Sequence, residues 1–136
     1  MSDKTPDPAL RQLDVLVGTW KVTNFENGQQ TDAGTVTFEW LKGGFFLTQR
    51  VELGDTDAIE YIGYDPETKT LTSHLFGTSP EILRYTWEVD GDTLTIWYGD
   101  TSSPARFVGK FNEDRTVNTG GWEWPGGGYQ STMTRI

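Results

Sequence analysis

The chain has 136 residues, 35% of them apolar, with a net charge of −9 and no cysteine. A sequence pI near 4.4 argues against nucleic acid or an anionic membrane surface as partner, because an acidic field repels phosphates; the missing thiols exclude a disulfide framework and a thiolate metal site. No apolar run reaches membrane-spanning length and no charged start leads into an apolar signal region, so a cytoplasmic protein is expected.

The length suits one domain with a real core, yet a mean hydropathy of −0.54 leaves that core to be built from aromatics. Six Trp, five Tyr and seven Phe supply it, and 16 Gly with 6 Pro punctuate short elements. That balance favours all-β architecture.

Residues 1–7 read as a flexible tail, and residues 8–136 as the folded domain. Asp7 before Pro8 is a helix start: the carboxylate accepts from free amides and proline already holds a helical φ. Leu10, Leu13, Leu16 and Val17 give the helix one apolar face, and Gly18 is the expected stop. At about ten residues such a helix forms only by packing on the rest of the domain, as a cap over one end of it.

Ten strands are predicted after the helix, over 19–25, 34–41, 45–53, 58–64, 70–76, 82–89, 93–99, 105–111, 116–124 and 129–136. The connections ENGQQTDAG, LKGG, LGDTD, DPETK, GTSPE, VDGD, GDTSSP, NEDR and WPGGG all carry turn residues, and none is long enough for a crossover. Asp55, Asp57, Asp65, Asp90, Asp92, Asp100, Glu113 and Asp114 fall in or beside these turns without calcium-loop spacing. The fold class is therefore all-β: a single up-and-down antiparallel barrel of about ten strands with a short N-terminal helix capping one end. Closure removes the exposed sheet edges.

Alternation sorts the side chains. A two-residue turn at Asp90–Gly91 sets Trp87 opposite Leu94, Tyr85 opposite Ile96 and Leu83 opposite Tyr98 on one face, with Arg84, Thr86, Glu88, Thr95 and Trp97 on the other. Val36, Phe38 and Trp40 form a second apolar row, and Phe45, Leu47, Gln49, Val51 and Leu53 a third. Side chains nearly fill a barrel of about eight strands, whereas more strands leave a cavity. The expected ligand-binding lining is Phe38, Trp40, Leu47, Gln49, Tyr85, Trp87, Ile96 and Tyr98, apolar walls with a few polar handles.

Catalytic candidates are few. His74 is the one histidine, and a type I turn with a bulge at Lys69 pairs Tyr64 with Thr70 and Glu60 with His74, a dyad that would suit general base chemistry. Ser73 points away from His74, and no nucleophile-elbow pattern is present. Gly126, Gly127 and Gly128 precede a strand, so they form a turn and not a phosphate loop. Arg50, Arg84 and Arg106 could bind a carboxylate if one faced inward; alternation turns Arg84 outward and leaves the other two open, and all three are read first as surface charges. A lone histidine makes no zinc site, and no metal is expected.

Gly18-Thr19-Trp20 after a short helix, about ten meander strands and Arg135 at the end together resemble the calycin superfamily of lipocalins, fatty-acid-binding proteins and nitrobindins. The runs GGFFLTQRVE and IGYDPETKTL and the Gly-rich ending are similar to uncharacterised lipocalin-like families of bacteria. The resemblance spans essentially the whole chain. It implies that Trp20 and Arg135 close the barrel end structurally, by stacking of cation on ring. The nitrobindin branch implies haem, but its ligand histidine near the C-terminus has no counterpart here, so no cofactor is expected. The reading that results is binding of a small apolar or amphipathic molecule in the barrel. The alternatives are a small enzyme, an isomerase, cyclase or hydrolase, using His74 in the same cavity, and an interaction module forming a homodimer through an outer surface that includes Trp97.

Overall fold

In the computed structural model, which describes residues 4–136, the chain opens with a 3₁₀ helix, Pro8–Leu16. The first three residues of the expected tail lie outside the described residues. Asp7 caps the helix, its Oδ1 accepting from the Ala9 amide at 2.9 Å. Three residues per turn stacks Leu10, Leu13 and Leu16 on one line, and all three are buried. Val17 does not extend that face: it has already turned to φ −57°, ψ 128° and is exposed. Nor is Gly18 a left-handed cap. It opens the first strand at φ 129°, where a Cβ would sit 2.6 Å from Arg135 Nη1, so glycine is required there to admit the guanidinium.

Ten antiparallel strands complete the chain: β1 (Gly18–Glu26), β2 (Gln29–Trp40), β3 (Phe46–Leu53), β4 (Thr56–Asp65), β5 (Thr70–Phe76), β6 (Ile82–Asp90), β7 (Thr93–Tyr98), β8 (Arg106–Phe111), β9 (Val117–Trp124) and β10 (Gly127–Arg135). Each pairs with its neighbours in sequence, and β1 pairs with β10 to close the barrel. The helix packs on β4, β5 and β6, and its leucines share one core with Trp20, Leu47, Ile62, Leu71 and Phe111. That end of the barrel is solid. No helix among the described residues is long and apolar enough to cross a membrane.

Two turns differ from their sequence reading. The stretch ENGQQTDAG is no loop: Asn27 and Gly28 at φ 53° and 78° make a two-residue hairpin turn, and β2 starts at once with Gln29. Between β6 and β7 the turn is Gly91–Asp92, with Gly91 taking the positive φ of 61°, so Trp87 faces Ile96 and Tyr85 faces Tyr98. That slip of two residues preserves parity, and the faces stay as expected.

The seam is fastened at the helix end. Trp20 and Arg135 are directly paired across β1 and β10, the guanidinium lies 4.1 Å from the centre of the Trp20 rings, and Arg135 donates to the Val17 and Val15 carbonyls at 2.6 and 2.7 Å. Trp20 Nε1 donates to Leu16 O at 2.8 Å. One arginine thus ties strand to helix.

Elsewhere β8 and β9 approach too closely for side chains. A Cβ on Gly120 would overlap Val108 O and Gly109 Cα, both backbone atoms. Gly120→Ala is expected to lose about 1–3 kcal/mol through overpacking, read as a lower urea midpoint with an unchanged slope.

Candidate functional site

Beyond the leucine-packed end the interior opens into two contiguous cavities of about 160 and 240 Å3 that share Gln49, Val51, Trp87, Ile96, Trp122 and Tyr129. Phe38, Phe107, Met133, Asn24, Asn118 and Ser131 add to the wall of the first, and Glu60, Leu75 and Tyr85 to that of the second. Phe38 meets Trp87 edge-on at 6.2 Å, and Trp122 packs at 5.8 and 6.0 Å from Tyr85 and Phe107. The walls are aromatic, and each lining residue comes from the inward half of a strand's alternation.

One acidic side chain lies in that wall. Glu60 stands between Ala58 and Ile62 in the inward row of β4 and is only 2% exposed. Gln49, directly opposite on β3, donates through Nε2 to Glu60 Oε1 at 2.7 Å. Ser73 Oγ donates to Oε2 at 2.5 Å, and Trp87 Nε1 is shared between Oε2 at 3.1 Å and Ser73 Oγ at 3.0 Å. Burial away from water nevertheless dominates these donors and pushes the carboxyl from its ordinary 4.5 up to about 7. It also pushes Tyr85 up to about 12, with the Glu60 charge adding to the effect.

Asn118 on β9 is 1% exposed, and its Nδ2 has no hydrogen-bond partner in the protein. Gly109 leaves room for it, since a Cβ there would strike Asn118 Oδ1. In the ring of ten strands β9 and β4 are five places apart in either direction, so the Asn118 amide and the Glu60 carboxyl stand on opposite walls.

Of the residues expected to line a pocket, Phe38, Gln49, Trp87, Ile96 and Tyr85 face this space. Three do not. Trp40 holds the helix instead, Nε1 donating to Asp14 Oδ1 at 2.9 Å with Arg11 over its ring at 4.7 Å. Leu47 is fully buried in the core shared with the helix leucines. Tyr98 stands edge-on to Tyr85 at 5.7 Å but is 50% exposed, outside both linings.

The Glu60 and His74 dyad does not form. The connection after β4 is a four-residue turn closed by Lys69 N donating to Asp65 O at 2.8 Å, with Lys69 at φ 58°. Asp65 therefore faces Thr70, Glu60 faces Leu75, and His74 faces Tyr61 from the outer surface. A one-residue register change reverses every side chain, and it is Ser73 that turns inward to Glu60. His74→Ala is expected to shift unfolding free energy by less than about 0.5 kcal/mol, and urea unfolding at pH 5 and pH 8 checks it.

Arg50 points outward and pairs with Asp57 at 2.7 Å, while Arg84 and Arg106 are exposed. Among the described residues no three His, Cys, Asp or Glu side chains cluster to hold a metal ion. The single histidine lies on the outer face, so a histidine-ligated haem finds no ligand on the cavity wall. Compared with known proteins, the chain matches no protein-family model and no curated protein sequence.

Asn118, Trp122, Tyr129, Phe107 and Met133 went unread in the sequence. The row Phe107, Gly109, Phe111 was the available signal, since only an inward β8 explains two aromatics at that spacing.

Proposed function

We propose that this barrel is a calycin-like binding protein that takes up one small, mainly apolar molecule with a polar group, and does no covalent chemistry on it. The observation that supports the reading most is the unpartnered Asn118 amide in an otherwise aromatic wall. A buried donor without an acceptor costs about 1–3 kcal/mol, and a ligand oxygen placed against it removes that cost. Apolar walls with a few fixed polar groups are what a small-molecule site requires. The mechanism is exclusion of water from the ligand's apolar part, while polar groups on opposite walls set its orientation.

The neutral fluorophore N-phenyl-1-naphthylamine tests it. Its emission is expected to rise on mixing with the protein and to fall again when 1-octanol is added. Val51 lines both cavities, so Val51→Trp is expected to abolish the rise, whereas Val108→Trp, on the exposed outer face, keeps it. Equal emission from the two variants, both folded by circular dichroism, would place the probe outside the barrel and end the proposal.

A second reading rests on Glu60 alone: a carboxyl near 7 inside an apolar cavity is suited to proton transfer. In that case Glu60→Gln abolishes turnover while leaving fluorophore uptake intact.

A further inference from the structure

Resting on the binding reading, we infer that the cavity takes ligands with a cationic or N–H-donating head group, alkyl or arylalkyl amines, and discriminates against carboxylates. The walls contain no cation. None of the chain's 11 Lys and Arg lines either cavity; Arg50 is paired outside with Asp57, and Arg135 is committed to Trp20 and the helix carbonyls. A carboxylate entering would lose its hydration with no counter-ion to replace it, beside a second carboxyl.

An ammonium meets the opposite situation. A carboxylate offers about four lone-pair sites, and Glu60 Oε1 accepts only from Gln49 whereas Oε2 takes both Ser73 and Trp87, which leaves an acceptor site on Oε1. Trp87, Trp122, Tyr85 and Tyr129 share that cavity, and their ring faces attract a cation. The net charge of −9 adds a favourable long-range field.

Octylamine, 1-octanol and octanoate each have eight carbons and differ in head-group charge, and the one methylene fewer in the alkyl chain of octanoate accounts for only about fourfold in affinity, so their displacement of N-phenyl-1-naphthylamine reports on the head group. At pH 8 octylamine is expected to bind at least about tenfold more tightly than octanol, and octanoate more weakly than either. Lowering the pH to 6 is expected to weaken octylamine about tenfold and leave octanol unchanged, because the amine stays protonated while Glu60 takes up its proton near 7. The groups facing Glu60 do not titrate in that window: Gln49, Ser73 and Trp87 carry no titrating proton, and Tyr85 and Tyr129 are pushed upward by burial.

Glu60→Gln is expected to bring octylamine to the affinity of octanol; should that variant fail to fold, the order of the three affinities in the parent at pH 8 decides alone. Octanoate binding as tightly as octylamine, or octylamine binding no more tightly than octanol at pH 8, would overturn the head-group preference and leave the cavity reading standing. Failure of all three to displace the fluorophore would overturn both.

Discussion

Trp20→Ala is expected to lower the unfolding free energy by about 3–5 kcal/mol, the range for truncating a large buried aromatic. Trp20 is 0% exposed, packs at 6.2 Å from Phe111, and carries the Arg135 guanidinium on its ring. Its indole N–H also satisfies the Leu16 carbonyl at the end of the helix. The substitution therefore opens a cavity, leaves an acceptor unpaired and removes the surface on which Arg135 rests while it holds Val15 and Val17. Trp20→Phe separates these effects: most packing survives, the N–H is lost, and a smaller cost of about 1–2 kcal/mol is expected. A double-mutant cycle with Arg135→Ala should return a coupling of about 0.5–2 kcal/mol from the stacked cation. Far-UV circular dichroism in urea is the measurement, since it does not depend on the tryptophan removed. A loss below about 1 kcal/mol for the alanine variant would show that the seam is held by the strand ladder alone.

The barrel was legible because short turns between ten alternating segments leave a meander few other arrangements. Which side chains face inward was legible only where the register error was even. Between β6 and β7 the turn was misplaced so that the register moved by two residues, and Tyr85, Trp87 and Ile96 still pointed in. Between β4 and β5 it moved by one, and the inferred partner of Glu60 changed from His74 to Ser73. The four residues between β4 and β5 permit either closure, and only the tertiary structure selects the one that buries Ser73 and Leu71. β9 was obscure for another reason. Its inward positions include Asn118 and Gly120, which leave no apolar alternation, yet both are required: the asparagine faces the cavity, and the glycine lets β8 approach. Nor does alternation distinguish lining from plug. Trp40 and Leu47 are correctly periodic, but they lie where the helix seals the barrel, a position fixed by how β2 and β3 run relative to its two ends.

Raising the pH from 5 to 8 is expected to destabilise the protein by about 2–3 kcal/mol through Glu60 alone. The carboxyl titrates at about 7 in the fold against an ordinary 4.5, so between those values the folded chain holds a proton that the unfolded chain has released. Folding is favoured while that proton is retained, fully below about 4.5, and the advantage is lost as pH rises through 7. Asp100 and Asp114 act with opposite sign in a lower window. Hydrogen bonds from Ser102 and Thr116 hold their carboxyls below the usual range, so they contribute above their unfolded values and are lost on further acidification. Stability should therefore peak near pH 5. Glu60→Gln removes the upper slope: its carbonyl oxygen can accept from Ser73, and Gln49 can turn its amide oxygen toward the new NH2. At pH 8 the variant, no longer holding a buried charge, is expected to equal or exceed the parent, and at pH 5 to gain nothing over it. Urea unfolding of both chains at several pH values, with His74→Ala as a control that keeps the slope, checks this. A parent whose unfolding free energy is flat from pH 5 to 8, or a slope that survives in Glu60→Gln, would mean that Glu60 is ionised throughout. The three donors around it would then outweigh its burial, and the cavity would carry a permanent negative charge.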